Sequence, residues 1–180
     1  MMLRGFYPAV LAKKIPFQDA YRQYYNTYLQ RDIMQVMNIR NMDEFRRILV
    51  LCAARVGTES NPQALSNEIG VSIHTIQAWM NVLEASYLTF HLRPFYRNIR
   101  KRLVKKPKTY FFDTGLVCYL LGIRDVEQLN AHPLRGQVFE NMVVSNMMKD
   151  LCNKGLDNNL FYYRDKSQRE VKHKIIIFQE

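Results

Sequence analysis

None of the seven glycines in this 180-residue sequence is followed by a lysine. A phosphate-binding loop of the nucleotide-hydrolysing kind ends in Gly-Lys before Ser or Thr, so the chain alone is not expected to bind ATP in that manner. Cysteine is scarce as well. Cys52, Cys118 and Cys152 are odd in number, widely spaced and set among apolar residues, a pattern that supplies neither a disulfide framework nor a metal knuckle. They are expected to be buried, reduced thiols in a cytoplasmic protein. His74, His91, His132 and His173 fall at no metal-ligand spacing, and neither a metal nor any other cofactor is expected. The longest unbroken apolar run, Ile48 to Ala54, falls far short of the roughly 20 residues that span a bilayer. The opening MMLRGFYPAV does not read as a signal peptide. The expectation is a soluble protein with no membrane partner.

One further absence is local. Between Glu84 and Asp113 there is no acidic residue, but there are eight basic ones, which carry +8 of the chain's net +10. Seven of them, Arg97, Arg100, Lys101, Arg102, Lys105, Lys106 and Lys108, fall in the single run RNIRKRLVKKPK. Solvated loops ordinarily mix signs, because that lowers self-repulsion. Basicity this concentrated suits an anionic partner. Lysines and arginines beside Phe95, Tyr96 and Tyr110 would neutralise phosphates and offer ring faces for stacking. An acidic protein or an anionic membrane surface would answer to the same field; DNA is the reading favoured.

The pattern along the chain places that run. FQDAYRQYYNTYLQRDI sets Tyr21, Tyr25, Tyr28 and Leu29 at helical spacing, which predicts a helix with an aromatic packing face. MDEFRRILVLCAARVG predicts a second, with Met42, Phe45, Ile48, Leu49, Cys52 and Val56 on one side and Gly57 as its stop. In NPQALSNEIGVSIHTIQAWMNVLEASYL, Asn61 reads as an N-cap, Pro62 as the first helical residue and Gly70 as the end of a short helix. Ser72 caps the next, expected to bury Ile73, Ile76, Met80, Leu83 and Tyr87. Two short helices joined by a glycine-containing turn are the pattern of a helix-turn-helix. YLTFHLRPF and KTYFFD are strand-like. Three helices followed by a hairpin make a winged helix, with the basic run as wing and tip.

Beyond Asp113 the sequence predicts a short helix in GLVCYLLGI and a connecting segment in RDVEQLNAHP. A long amphipathic helix follows, with Val138, Phe139, Met142, Val143, Met147 and Leu151 on its apolar side, then a hairpin across LFYYRDKSQREVKHKIIIFQE. The fold class is therefore α+β, mainly α. Residues 1–40 form an N-terminal helical segment, 41–113 a winged helix-turn-helix with a basic wing, and 114–180 a helical segment and hairpin opening a truncated α/β unit.

On the second helix of the helix-turn-helix, His74, Ala78, Asn81 and Val82 turn away from the apolar stripe, with Thr75 on the flank. Small and hydrogen-bonding side chains there suit an approach to base edges or phosphates; packing on a neighbouring domain is an equal alternative. A carboxylate set, Glu140, Asp165, Glu170 and Glu180, is the one candidate for metal-dependent phosphodiester cleavage. Lys172 lies two residues after Glu170 and places a cation where a second ligand belongs. Ordinary ion-paired carboxylates are the plainer account of these residues.

Taken in order, GFYPAVL, YYNTYLQRDI, QALSNEIGVSIHTIQAWMNVLEASYL, RPFYRNIRKRLVKKPKTYFFDTGLVCYLLGI and RGQVFENMVVSNMMKDL resemble the C-terminal half of a prokaryotic family of AAA-type ATPases. The resemblance covers nearly the whole chain, with KKPKTYFFDTGL and GQVFEN its most specific stretches. It implies a winged-helix DNA-binding candidate followed by a restriction-endonuclease-like remnant. That family's ATPase module would precede the equivalent of Gly5. Two departures count against catalysis: EVK stands where Glu-Val-Asp is usual, putting Lys172 in place of the aspartate, and the chain ends at Glu180 before a further carboxylate-bearing strand. Glu140 matches the FEN position, so Glu140 and Glu170 are at most vestigial catalytic residues. The expectation is a non-enzymatic, truncated DNA-binding module. One alternative is a module that docks on an ATPase partner or on itself through the apolar KIIIF edge; a metal-dependent nuclease is the other.

Overall fold

The computed structural model describes residues 1–12, 15–27, 41–96, 98, 100, 105–156, 159–163 and 174–177. The basic residues Arg97, Lys101 and Arg102, together with Tyr28, Leu29, Asp165, Glu170, Lys172 and Glu180, lie outside the described residues.

The fold is α+β and mainly helical. Short helices α1 (Pro8–Ala12) and α2 (Phe17–Tyr24) lead into α3 (Met42–Ala54). Asn41 starts α3 by accepting from the Glu44 N–H at 3.3 Å, with Asp43 and Glu44 placed where the helix dipole favours negative charge. Helices α4 (Pro62–Ile69) and α5 (Ile73–Ala85) follow. Asn61 accepts from the Ala64 N–H at 3.3 Å, Ser72 accepts from the Thr75 N–H at 3.1 Å, and Gly70 closes α4 at φ +88°. A residue with a Cβ would be strained at that angle. The turn chemistry written in the sequence is therefore the chemistry used.

Strands β1 (Thr89–Pro94) and β2 (Lys108–Phe111) form an antiparallel hairpin, pairing Thr89 with Phe111 and Leu92 with Lys108. Next come α6 (Thr114–Leu120), α7 (Val126–Ala131) inside the segment expected to be a plain connection, and α8 (Arg135–Asn153). Strands β3 (Leu160–Tyr163) and β4 (Lys174–Ile177) pair antiparallel, as the sequence predicted. The hairpin does not stand alone. Arg93 and Pro94 of β1 pair in parallel with Phe161 and Tyr162 of β3, giving the sheet order β2-β1-β3-β4. Strands on both sides of residue 113 thus share one sheet.

Two buried clusters organise the described residues. The larger gathers Tyr21 and Tyr25, the apolar faces of α3, α4 and α5, Phe111, and Leu116, Val117 and Cys118 of α6. The smaller joins Phe90, Leu92 and Tyr110 of the hairpin to Val144, Met148 and Leu151 of α8 and to Leu160 and Tyr162 of β3. Several sequence expectations need correcting here. Met42 and Tyr87 are exposed: Met42 opens its helix, one turn short of the packed stretch, and Tyr87 follows α5 with a positive φ of 55° that turns it outward. On α8 the buried residues are Val138, Asn141, Val144, Ser145, Met148 and Leu151. Phe139 and Val143 face outward instead, 54% and 37% exposed. The helix is rotated from the expected face because polar Asn141 and Ser145, not Phe139, point inward. Cys52 and Cys118 are buried and reduced, but Cys152 is exposed near the end of α8. No helix among the described residues is long and apolar enough to cross a membrane.

Candidate nucleic-acid interface

The outward face of α5 matches the expectation at four of five positions. His74, Ala78 and Asn81 are exposed, with Thr75 half-buried, its hydroxyl 2.8 Å from that of the capping Ser72. Val82 is the exception, buried at 5% exposure. It packs with Trp79 and Leu83 in the larger core and leaves the exposed strip narrower than the helical wheel suggests. Gln77, which the sequence reading passed over, is exposed beside Ala78 and adds a hydrogen-bonding side chain.

The basic run divides. Arg100, Lys105 and Lys106 are exposed. Lys108, expected among the phosphate contacts, points inward and is only 4% exposed. It sits on the same face of β2 as Tyr110, two residues on, and both reach Glu140 of α8. The Lys108 ammonium is 3.3 Å from Glu140 Oε1, and the Tyr110 hydroxyl donates to the same oxygen at 2.6 Å. Burial first, then the hydrogen bond and charge of Glu140, push the Tyr110 hydroxyl well above its ordinary pKa. Lys108 also stands 5.5 Å from the centre of the Tyr162 ring. A lysine in this setting is neutralised by its partners and does not meet a phosphate; Tyr110, 1% exposed, offers no free ring face.

Glu140 is therefore occupied by a structural pairing. Its neighbour Asn141 is wholly buried, accepts from the Phe111 N–H at 2.7 Å and donates to the Phe111 carbonyl at 3.1 Å. Side chain and strand backbone thus pair as two strand residues would. Among the described residues no three His, Cys, Asp or Glu side chains are arranged to hold a metal ion.

At the root of the basic loop the structure forms a cleft of about 430 Å³ lined by Glu59, Pro94, Phe95, Tyr96, Lys105, Lys106 and Tyr162. One residue fixes both walls. The Tyr162 carbonyl accepts from the Phe95 N–H at 2.7 Å, and the Tyr162 hydroxyl donates to the Lys106 carbonyl at 2.9 Å. Behind it, the segment after α3 adds to the outer edge of β2: the Gly57 N–H donates to the Thr109 carbonyl at 2.8 Å and the Ser60 N–H to the Pro107 carbonyl at 2.8 Å. Glu59 bridges Lys108 in this ladder. Sequence reasoning named Phe95 and Tyr96 but missed Tyr162 and Glu59, which arrive from distant parts of the chain on either side. The alternation of LFYY, which sends Tyr162 to the buried side, was the available signal. A larger cleft of about 620 Å³ opens between α2, α3 and the turn after α6. Of its arginines, Arg22 is paired with Asp19 at 3.5 Å and Arg46 stands 5.5 Å above the Tyr25 ring.

The chain belongs to the family described as Domain of unknown function (DUF8612), which matches residues 1–127. It is 29% identical over 168 residues to the uncharacterized protein Rv2008c of Mycobacterium tuberculosis and, at the same identity, to the uncharacterized protein Mb2031c of Mycobacterium bovis. The matched region is 93% of this chain and 37% of either relative, so the chain spans little more than a third of their length. No solved structure matches it.

Proposed function

We propose that the chain is a winged-helix nucleic-acid-binding module, acting on DNA without catalytic activity of its own. The observation that carries this reading is the basic loop. Arg100, Lys105 and Lys106 are exposed at the end of an antiparallel hairpin, and that end opens on an aromatic cleft. The order of elements supports it. Helix α3, a short paired segment at Gly57–Ser60, α4, α5 and then the hairpin is the arrangement in which a winged helix presents its second helix and its wing on one side. The exposed His74, Ala78 and Asn81 strip, with half-buried Thr75 on its flank, supplies the helical contacts and the loop the phosphate contacts. Engagement of Glu140 by Lys108 and Tyr110 supports a non-enzymatic reading. The resemblance to AAA-type ATPases fits a module that works beside an ATPase, with the 114–180 segment a remnant of a nuclease-like unit.

The test is a titration of labelled duplex DNA by fluorescence anisotropy at several salt concentrations. Each phosphate contact contributes about −0.9 to the slope of log affinity against log salt. Replacing Arg100, Lys105 and Lys106 by alanine is expected to shallow that slope by about 2 to 3 and to weaken binding at least tenfold at low salt. Affinity indifferent to salt and to those three charges overturns the proposal.

A second reading has its own support. Phe139 and Val143 lie one helical turn apart on the outer side of α8 and are exposed, and β4 ends the sheet. An apolar patch and a strand that is the last of the sheet among the described residues suit docking on a protein partner or on a second copy. Light scattering that finds an oligomer with no DNA affinity would select this reading.

A further inference from the structure

We propose that the cleft at the root of the basic loop receives a single unstacked nucleobase, so that the protein prefers DNA carrying a single-stranded end or fork over a continuous duplex. The inference rests on the nucleic-acid reading and specifies which form of nucleic acid the loop selects. Its warrant is the arrangement of charge inside the cleft. A site for phosphate alone would be cationic throughout, yet this one contains Glu59 as well as Lys105 and Lys106, with Phe95, Tyr96 and Tyr162 around them. A carboxylate repels a phosphate and accepts hydrogen bonds from amino groups, as acidic side chains do from cytosine N4. The lysines thus take the flanking phosphates, the half-buried Phe95 and Tyr96 rings stack on the base face with Tyr162 buried beside them, and Glu59 reads an exocyclic amine.

The size and rigidity of the site agree. A volume of about 430 Å³ falls within the range of small-molecule pockets and is far too small for a duplex. Tyr162 ties down both walls through its carbonyl and its hydroxyl, and the Phe95 ring is braced edge-on by Phe161 at 6.1 Å. A pre-formed slot of this kind spares the ordering cost a mobile loop would carry. A base held within a duplex cannot reach it without being unpaired, whereas a base in an overhang is already free to leave the stack.

The experiment compares three labelled probes with the full 180-residue chain at one salt concentration: a blunt duplex, the same duplex with a short oligo-dC overhang, and the same with an oligo-dT overhang. Stacking contributes enough per base that the dC overhang is expected to bind about tenfold more tightly than the blunt end. Thymine lacks an exocyclic amine, so the dT overhang should gain less. Tyr96→Ala should weaken overhang binding several-fold more than blunt-duplex binding, and Tyr96→Phe should restore the difference. Glu59→Gln should bring dC and dT overhangs together. Equal affinity for blunt and overhang probes overturns the cleft assignment while leaving the DNA reading standing. Loss of blunt and overhang binding in equal measure on Tyr96→Ala does the same, and no binding to any probe removes both.

Discussion

Among the described residues, two buried polar clusters that join distant parts of the chain are built on opposite principles. One centres on Asp113, 2% exposed, which accepts from the Tyr21 hydroxyl at 2.5 Å, the Phe6 N–H at 2.7 Å and the Leu116 N–H at 3.0 Å. The same tyrosine hydroxyl lies 3.0 Å from the Arg4 carbonyl. A Cβ at Gly5 or at Gly115 would collide with that hydroxyl, so the chain closes on the cluster only where glycine stands. The other cluster centres on Glu140 and sets a carboxylate against a lysine and a tyrosine from one strand. The first is a carboxylate satisfied largely by hydrogen-bond donors of the backbone; the second is an ion pair between side chains. That difference decides which of them apolar side chains can replace. Backbone N–H groups remain when a side chain is deleted, and buried ones need an acceptor. Both halves of a side-chain ion pair can be removed together.

The largest effect is accordingly expected at Asp113. Asp113→Ala leaves the Phe6 and Leu116 N–H groups and the Tyr21 hydroxyl without their acceptor, and removes the cap of α6. A loss of about 3–5 kcal/mol is expected in a denaturant titration. Tyr21→Phe keeps the carboxylate and should cost less than half as much. If the two variants are equally stable, Asp113 does not serve the backbone donors in the way described.

Glu140→Ala comes next. It removes the carboxylate that faces a buried ammonium, with an expected cost of about 2–4 kcal/mol. The comparison sharpens in the double variant Lys108→Met with Glu140→Leu, which should recover most of that loss because it leaves no unpaired charge. No equivalent rescue is expected for Asp113→Ala by any change at Tyr21. A double variant no more stable than Glu140→Ala alone would show that Tyr110, not Lys108, is the partner that matters.

The thiols set the next scale through pH. Burial pushes Cys52 and Cys118 up to about 12 from an ordinary 9.0. Below pH 9 both folded and unfolded chains hold these protons, and the thiols add no pH dependence. Between pH 9 and 12 the unfolded chain releases protons that the folded chain keeps, so stability falls as pH rises, by about 1.4 kcal/mol per pH unit for each thiol. Tyr21 and Tyr110, also raised, steepen the fall above pH 10. Denaturant titrations at pH 8 to 10 should show the decline, and Cys52→Ala with Cys118→Ala should flatten it whatever the change in absolute stability.

The sequence was legible where local chemistry decides. Asn61, Pro62, Gly70 and Ser72 announced the two short helices, and β1 and β2 were visible in their alternation. It was misleading wherever a partner arrives from elsewhere in the chain. The acid-free stretch from Glu84 to Asp113 looked like an unopposed positive surface. The fold brings Glu140 onto Lys108 and Glu59 into the cleft beside Lys105 and Lys106. Charge counted along a chain misses such long-range pairing. The GQVFEN and KTYFFDTG stretches show the same limit. Glu140 was read as an ion-paired carboxylate or a vestigial catalytic one and Asn141 not at all; the fold supplies the partners, Lys108 and Tyr110 for the first and the Phe111 backbone for the second. Periodicity placed Phe139 inside α8, because it ranks an aromatic above an asparagine, and a buried asparagine with two backbone partners reverses that ranking.

The smallest effect on stability is expected where the effect on function is expected to be large. Lys105 and Lys106 are exposed, and Lys108, two residues beyond the latter, is buried. Lys105→Ala with Lys106→Ala should change folding stability by no more than about 0.5 kcal/mol, the ordinary range for surface positions. Lys108→Ala should destabilise by several times that, because Glu140 is left without its cation. Their effects on DNA affinity should run the other way once folded protein is compared with folded protein. On the proposed DNA reading the outer pair should set the salt slope, and Lys108, already neutralised, should leave it unchanged. A Lys108 variant that remains folded and loses as much salt dependence as the outer pair would mean that the strand turns outward in the complex. The division between gripping and structural lysines within this one run would then be a property of the free protein alone.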